Sequence, residues 1–177
     1  MLKIFKPCDF HVHLREGSLS HFVLKENNKH FQKILVMPNL KKPLTNSNLL
    51  LNYRKKILKI NKSSEVLFTI YLNKDCSLKD LEYMHKNKLF FSAKLYPLNA
   101  TTNSTSGVSD IKKMSKFFTF LEENNIPLCI HGEHVHNNDD PYEREKKFLD
   151  KELSWITKRF KSLKITLEHI TTKDSVS

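Results

Sequence analysis

Cysteine, glycine and long apolar runs are all scarce in this 177-residue chain. Cys8, Cys76 and Cys129 are odd in number and far apart, with no C-x-x-C pair, which argues against a disulfide framework or a zinc ribbon. They favour reduced thiols and a cytoplasmic location. Three glycines and 39% hydrophobic residues exclude fibrous and disordered classes. The chain is therefore globular and long enough for a real core.

Acidic residues are also few, with 19 Asp and Glu against 30 Lys and Arg. The net charge of +11 raises the question of nucleic acid, but only four of the 30 basic residues are Arg and the lysines are scattered. Because phosphate and base recognition favours Arg forks, we expect no nucleic-acid partner. No apolar run approaches the ~20 residues of a membrane span, and the N-terminus lacks the pattern of a signal peptide. We therefore expect no membrane segment.

What the chain does contain is a regular alternation of strand-like and helix-like segments. Repetition of this kind predicts parallel strands with helices packed outside them. Four segments have apolar residues at helical spacing. Three of them follow a helix-start signal, namely a candidate cap at Thr45, a capping box at Ser77–Asp80, and Pro141. The fourth runs from Ile111 to Leu121. The six predicted strands are 9–14, 33–38, 65–72, 90–96, 126–131 and 164–170.

The first predicted strand carries the strongest chemical signal. Its residues Asp9, His11, His13 and Arg15 share one face, because successive strand side chains point to opposite sides. Two imidazoles at i and i+2 can bind one metal ion, with a guanidinium nearby for an anion. Taken alone, this short motif is more often a pair of ordinary surface or core histidines.

Polar residues at the ends of the other strands change that balance. In a parallel α/β barrel the active site lies at the carboxyl ends of the strands, so these side chains are expected to share one rim. Each has an ordinary structural explanation by itself, but their joint placement favours a site. The residues are Asn39, Lys94, His131, Glu168 and His169.

These residue types indicate metal-dependent hydrolysis. Four imidazoles suit zinc, and burial would favour the neutral amine of Lys94. A neutral lysine can take up carbon dioxide and become a carbamate, which is an oxygen ligand able to bridge two metals. Such a pair can activate water and polarise a carbonyl, as amide-bond hydrolysis or its reverse requires.

The chain is long enough for only part of a (β/α)₈ barrel. A (β/α)₈ TIM-type barrel needs eight units and about 250 residues, and six strands are present. Thr171–Asp174 has a helix-start pattern just before the chain stops. We therefore expect residues 1–177 to be the N-terminal portion of one (β/α) barrel domain, truncated after about six strands, with strands seven and eight missing.

Five segments resemble the shorter, bacterial-type dihydroorotases of the amidohydrolase superfamily, in that family's order and spacing. The stretch K-L-Y-P followed by N-A-T-T-N-S is the most specific of them and separates this class from hydantoinases and allantoinases. The segments are Asp9–Gly17, Val36–Leu40, Ala93–Ser104, Ile130–Glu133 and Glu168–Asp174.

The resemblance implies a cofactor of two Zn²⁺ ions per complete subunit, bridged by N6-carboxylated Lys94. It assigns His11 and His13 to one zinc and His131 and His169 to the other. Substrate binding is assigned to Arg15 and Asn39, which would hold a carboxylate, to Thr101 and Thr102 on a closing loop, and to His13 and His131. The implied reaction interconverts N-carbamoyl-L-aspartate and L-dihydroorotate in pyrimidine biosynthesis. A small-molecule substrate is thus the expected partner, with a homodimer as one form of assembly.

The chain also departs from the family pattern. The family's eighth-strand aspartate, which is both a zinc ligand and the general base, has no counterpart here. We therefore name no catalytic base within residues 1–177 and expect the isolated chain to be inactive. His136 has a usual family counterpart, whereas His134 is expected at the surface rather than as a ligand.

Two other interpretations stay open. The chain could serve another cyclic amidohydrolase such as a hydantoinase, because the H-x-H motif and the carboxylated lysine are shared; the T-T-N-S loop argues against this. It could also be a non-catalytic amidohydrolase-like binding protein, for which the missing base is the support.

Overall fold

The computed structural model describes residues 3–135 and 139–176, in which strands and helices alternate. His136 lies outside the described residues. The strands are β1 (Cys8–Val12), β2 (Lys33–Val36), β3 (Glu65–Tyr71), β4 (Ser92–Leu95), β5 (Leu128–His131) and β6 (Ile165–Glu168). The α-helices are α1 (Gly17–His30), α2 (Ser47–Ile60), α3 (Leu78–Lys86), α4 (Ser115–Glu123), α5 (Arg144–Phe148) and α6 (Ser154–Arg159).

The six strands form one parallel sheet in the order β1-β2-β3-β4-β5-β6. The sheet is strongly curled, because His11 of β1 contacts Glu168 of β6 through a 2.9 Å bond although these strands lie at opposite edges. The predicted fold class is thereby confirmed: parallel β/α units surround a concave inner face.

Alternation along each strand separates the two faces of this sheet. In β2, Ile34 and Val36 pack in the main core under the helices, whereas Leu35 belongs to a small second cluster with Met37 and Cys129. Cys129 is paired in register with Lys94, and His131 lies two residues further along β5. Lys94 and His131 therefore share the inner face, at the carboxyl ends of their strands.

The helices differ in how clearly the pattern of apolar residues predicts them. Helix α4 buries Phe117, Phe118, Phe120 and Leu121, as its helical spacing predicts. Helix α1 buries only Ser20 and Leu24, so it has almost no apolar stripe for a pattern search to detect. The segment after Pro141 is helical to Arg159, with a π-helical turn at Leu149–Leu153 between α5 and α6.

Within the described residues, no helix is long and apolar enough to cross a membrane. The three cysteines are free thiols, with Cys8 exposed and Cys76 and Cys129 buried.

Candidate metal centre and active site

A cavity of about 280 Å³ opens at the carboxyl ends of the strands. It collects every predicted site residue except Lys94, which lies fully buried beside it. Residues that are up to 158 positions apart in sequence thus meet at one point. The cavity is lined by His11, His13, Arg15, Asn39, Tyr96, Thr101, Thr102, His131 and His169.

The histidines meet as two pairs with their ring nitrogens facing. The Nε2 atoms of His11 and His13 are 3.2 Å apart, and His131 Nδ1 is 3.1 Å from His169 Nε2. Zinc–nitrogen bonds of ~2.0–2.1 Å put two ligands of one tetrahedral ion about 3.3 Å apart. The separation within each pair therefore suits a shared ion.

Desolvation favours the neutral form of three of these imidazoles. It lowers the pKa of His13 to about 4, helped by the charge of Arg15, and lowers the pKa of His131 to about 4, helped by His169. Partial burial also lowers the pKa of His169. Metal ligation needs the unprotonated nitrogen, so His13, His131 and His169 have the required protonation state at neutral pH.

Lys94 has no exposed surface, and burial lowers the pKa of its ammonium. Its Nζ pairs with Glu168, whose other carboxylate oxygen lies 2.9 Å from His11 Nδ1. Burial raises the pKa of the Glu168 carboxyl, but hydrogen bonds from His11 and Lys94 outweigh this effect and lower it. The Glu168 bond to Nδ1 leaves the Nε2 lone pair of His11 directed at His13.

The sequence places both Glu168 and His169 at the rim but assigns no chemical role to Glu168. Neighbouring residues of a regular strand point to opposite faces, which conflicts with a shared site for these two residues. The structure resolves this conflict, because β6 ends at Glu168 and His169 adopts a left-handed backbone with φ 42°. The turn brings both side chains to the cluster, where Glu168 also groups with His11 and His169 as a candidate metal-binding set.

The predicted substrate-binding residues form the outer side of the cavity. Asn39 is 2% exposed, and its Nδ2 donates to the Thr102 carbonyl at 3.1 Å. The Asn103 side chain donates back to the Asn39 carbonyl at 3.1 Å. Asn39 thus connects the end of β2 to the loop that carries Thr101 and Thr102.

Arg15 lies on the same side with a left-handed backbone, φ 60°. Its carbonyl accepts a 2.9 Å bond from the Tyr53 hydroxyl, which holds this turn from helix α2. Within the described part of the chain, the one hydrogen bond of its guanidinium is a long 3.4 Å contact with the Asn39 carbonyl. The guanidinium donors therefore remain largely available to an anion in the cavity.

Tyr96 is a further lining residue that sequence reasoning did not single out. Its ring stacks on Tyr71 with a 5.0 Å centroid distance, and Lys94 Nζ lies 4.9 Å from its centroid. Burial raises the pKa of its hydroxyl, which has no hydrogen-bond partner among the described residues. The signal was present in the K-L-Y-P motif, which places this residue next to the end of β4.

Two nearby features lie outside the cluster. His134 is half-buried rather than at the surface, and its Nδ1 is 2.8 Å from Glu152 Oε1. A larger cleft of about 1250 Å³ lies between the loop after β4 and helix α6, lined by residues including Asp110 and Trp155. None of the four clustered histidines lines that cleft, so we assign the site to the smaller cavity.

The donor set fits a pair of zinc ions in part. Four imidazoles and a buried lysine with a lowered pKa are among the groups that such a pair would need. The residues described around this cavity do not include the aspartate that the family resemblance implies as a further ligand.

Fold and site together define a class: a curled parallel β/α sheet with a histidine-lined cavity at the carboxyl ends of its strands. No protein-family model matches the chain. The chain is, however, 42% identical over 178 residues to the dihydroorotase of Buchnera aphidicola from the aphid Acyrthosiphon pisum, which covers 99% of the chain and 51% of that relative. The chain is a homologue of the dihydroorotases and spans about half the length of the curated relatives it matches.

Solved structures agree with this relationship. Dihydroorotase from Campylobacter jejuni superimposes with a TM-score of 0.85 at 36% identity, over 96% of this chain and 49% of that one. Dihydroorotase from Saccharomyces cerevisiae, solved with 5-fluoroorotic acid, also gives a TM-score of 0.85, at 31% identity and the same coverage. The six-stranded sheet therefore matches half of the dihydroorotase TIM barrel.

Proposed function

We propose that this chain supplies the larger part of a dihydroorotase active site, which interconverts N-carbamoyl-L-aspartate and L-dihydroorotate. The observation that carries the proposal is the meeting of four imidazoles in one cavity beside buried Lys94, at the carboxyl ends of the strands of a barrel-type sheet. The homology to dihydroorotases over the whole chain supports the choice of reaction.

His11, His13, His131 and His169 would hold two zinc ions, with carboxylated Lys94 between them. When bound, such ions supply an acidified water and polarise the amide carbonyl. Lys94 reaches this state only as a neutral amine, which its burial favours. Glu168 pairs with the Lys94 Nζ, so its carboxylate would have to move away from this nitrogen for a carbamate to form there. Glu168 would keep its bond to His11 and hold that imidazole in the ligating tautomer.

Arg15 and Asn39 would bind the substrate carboxylate, with Thr101 and Thr102 closing over it. The available guanidinium donors of Arg15 and its position at the cavity mouth support this role. The link from Asn39 to the Thr102 carbonyl couples carboxylate binding to the position of that loop.

We further propose that residues 1–177 form the N-terminal portion of a single barrel domain. A proton acceptor corresponding to the family's aspartate is absent from this sequence, so the chain alone would not turn over the substrate. We also expect a small-molecule partner, no nucleic-acid partner and a cytoplasmic location; assembly as a homodimer stays a prediction.

A chimera tests this proposal. Residues 1–177 replace the aligned 178 residues of the Buchnera dihydroorotase, which supplies the other half of the barrel. We expect the purified chimera to contain two zinc ions and to hydrolyse dihydroorotate, while the 177-residue chain alone holds fewer than two zinc ions and does not hydrolyse it. Lys94→Met keeps the buried volume of the side chain but cannot form a carbamate, so metal content should fall to at most one ion.

His21→Ala on the exposed face of α1 is the matched control and should leave metal content and turnover unchanged. A folded chimera that binds two zinc ions yet hydrolyses only hydantoins would show that the chain belongs to a different cyclic amidohydrolase activity, such as that of a hydantoinase. A Lys94→Met chimera that still holds two zinc ions would remove the bridging role.

A further inference from the structure

Glu145 of helix α5 is a buried carboxylate that plays no part in the site described above. It is 8% exposed, and both of its oxygens face the segment that follows β6. Oε1 accepts from the Thr171 backbone N–H at 2.8 Å and from its hydroxyl at 2.5 Å. Oε2 accepts from the Thr172 N–H at 3.0 Å, its hydroxyl at 2.7 Å, and the Ser175 hydroxyl at 2.7 Å.

Five donors on one carboxylate make an unusually complete clamp. Burial alone would raise the pKa of Glu145, but the hydrogen bonds from Thr171, Thr172 and Ser175 lower it to about 2. The group is therefore a carboxylate at neutral pH. Its bonds also replace the local cap of the 3₁₀ turn Lys173–Ser175, where Thr172 makes no side-chain capping bond.

The clamped segment begins two residues after His169. Strand β6 pairs only with β5 among the described strands, so its end is supported from one side. His169 is itself exposed and has a left-handed backbone, a conformation that persists only where surrounding contacts hold it. The clamp on Thr171 and Thr172 supplies such contacts.

Helix α5 is well placed to fix this geometry. Its Phe148 is fully buried in the core, and the Arg144 carbonyl accepts a 3.0 Å bond from the His134 N–H in the segment that leaves β5. One helix is thus bonded to the exits of both β5 and β6. These exits carry His131 and His169, whose ring nitrogens must lie about 3 Å apart to share an ion.

We propose that Glu145 is a positioning residue, which clamps Thr171 and Thr172 and thereby holds the His169 imidazole against His131 for metal binding. This inference rests on the proposed metal site. Loss of the clamp should widen the His131–His169 pair and weaken the ion held there, while the His11–His13 pair is little affected.

Two readouts test the proposal in the 177-residue chain. Mass spectrometry of imidazole C2-hydrogen exchange reports each histidine without any metal, and the visible spectrum of bound Co²⁺ reports the ligand geometry. Glu145→Gln keeps the shape of the side chain, but its amide NH₂ group would face hydrogen-bond donors of Thr171, Thr172 or Ser175. We expect it to change the exchange of His169 and to weaken Co²⁺ binding by about 10–100-fold, as loss of a residue supporting a ligand commonly does.

Glu143→Gln, at an exposed position two residues earlier, is the control and should change neither readout. Glu145→Asp, which keeps the charge, should recover part of the Co²⁺ affinity. In a His169→Ala background, Glu145→Gln should cause no further loss, because both substitutions remove the same ligand.

Additive losses in that double variant, or unchanged His169 exchange in Glu145→Gln, would overturn the positioning role. If the unsubstituted chain binds no Co²⁺, the proposed metal function fails, and the exchange of His169 then decides by itself whether Glu145 positions that residue.

Discussion

At the scale of single residues, the site is set by strand ends and by two left-handed turns. Arg15 and His169 both have positive φ values, of 60° and 42°. Neither residue is a glycine, so each turn costs on the order of 1–3 kcal/mol that other contacts must offset. Tyr53 supports the first turn and Glu145 the segment after the second. Two of the six non-glycine residues with positive φ in the described part of the chain thus lie where side chains face the cavity.

A substitution of Arg15 tests its role in binding the substrate carboxylate. In the chimera, Arg15→Lys keeps the charge but loses the planar fork that matches a carboxylate. Because a hydrogen bond to a charged group contributes about 1.5–3 kcal/mol, we expect the KM for dihydroorotate to rise by about 10-fold or more. Steady-state kinetics measure this, with His21→Ala as control. An unchanged KM would remove Arg15 from the substrate site.

At the scale of elements, the residues that cap the helices differ in part from those that the sequence predicts, because some capping groups bond to a neighbouring helix. The predicted cap at Thr45 is wrong by one residue, since Asn46 accepts the Leu49 N–H at 3.0 Å. Ser77 caps α3 as predicted, by accepting the Asp80 N–H at 3.2 Å. The Asp80 carboxylate, however, accepts the Ser47 N–H of α2 at 2.7 Å rather than closing a capping box on its own helix. Adjacent helices therefore share their capping groups.

Removal of the Asn46 cap should destabilise the chain measurably. Asn46→Ala leaves the Leu49 N–H without its acceptor, so we expect the free energy of unfolding to fall by about 1 kcal/mol. Asn46→Asp keeps an acceptor and should cost much less. Urea unfolding followed by circular dichroism measures both, with Asn52→Ala at an exposed position of the same helix as control. Equal stability of the Ala and Asp variants would contradict the capping role.

At the scale of the whole molecule, the curled sheet has two edges. Among the described strands, β1 and β6 each pair with one neighbour, and two of the five residues of β1 are exposed, with Phe10 at 50%. Unpaired strand edges favour pairing with other chains. The candidate site lies between these edges. Any strand that paired with β1 or β6 would therefore also border the site.

We expect the isolated 177-residue chain to self-associate through these edges. Analytical ultracentrifugation should show a mean mass that rises with concentration. Phe10→Lys on β1 should reduce this association, because a charged residue blocks edge pairing. Phe22→Lys is the matched control, since Phe22 is similarly exposed, at 63%, but lies on helix α1. Association that responds to Phe22→Lys alone would place the contact on the helices.

Some features of this protein follow from local sequence. Six strands, their parallel order and most helices are predictable because apolar periodicity and turn residues act over a few positions. The rim of His11, His13, Lys94 and His131 is predictable for a related reason: the carboxyl ends of parallel strands must lie on one side of the sheet.

Other features depend on contacts between distant segments. Pairing of Glu168 with Lys94 and His11 requires the curl of the sheet and the turn at His169, and the strand pattern alone does not predict it. Helix α1, with two buried residues, is held by its neighbours rather than by a stripe of its own. The clamp by Glu145 joins residues that are 26 to 30 positions apart, and it depends on the packing of α5 on the core. No local sequence pattern therefore predicts it. The tertiary structure decides these features because their free energy lies in contacts that exist only once the sheet has curled and the helices have packed on it.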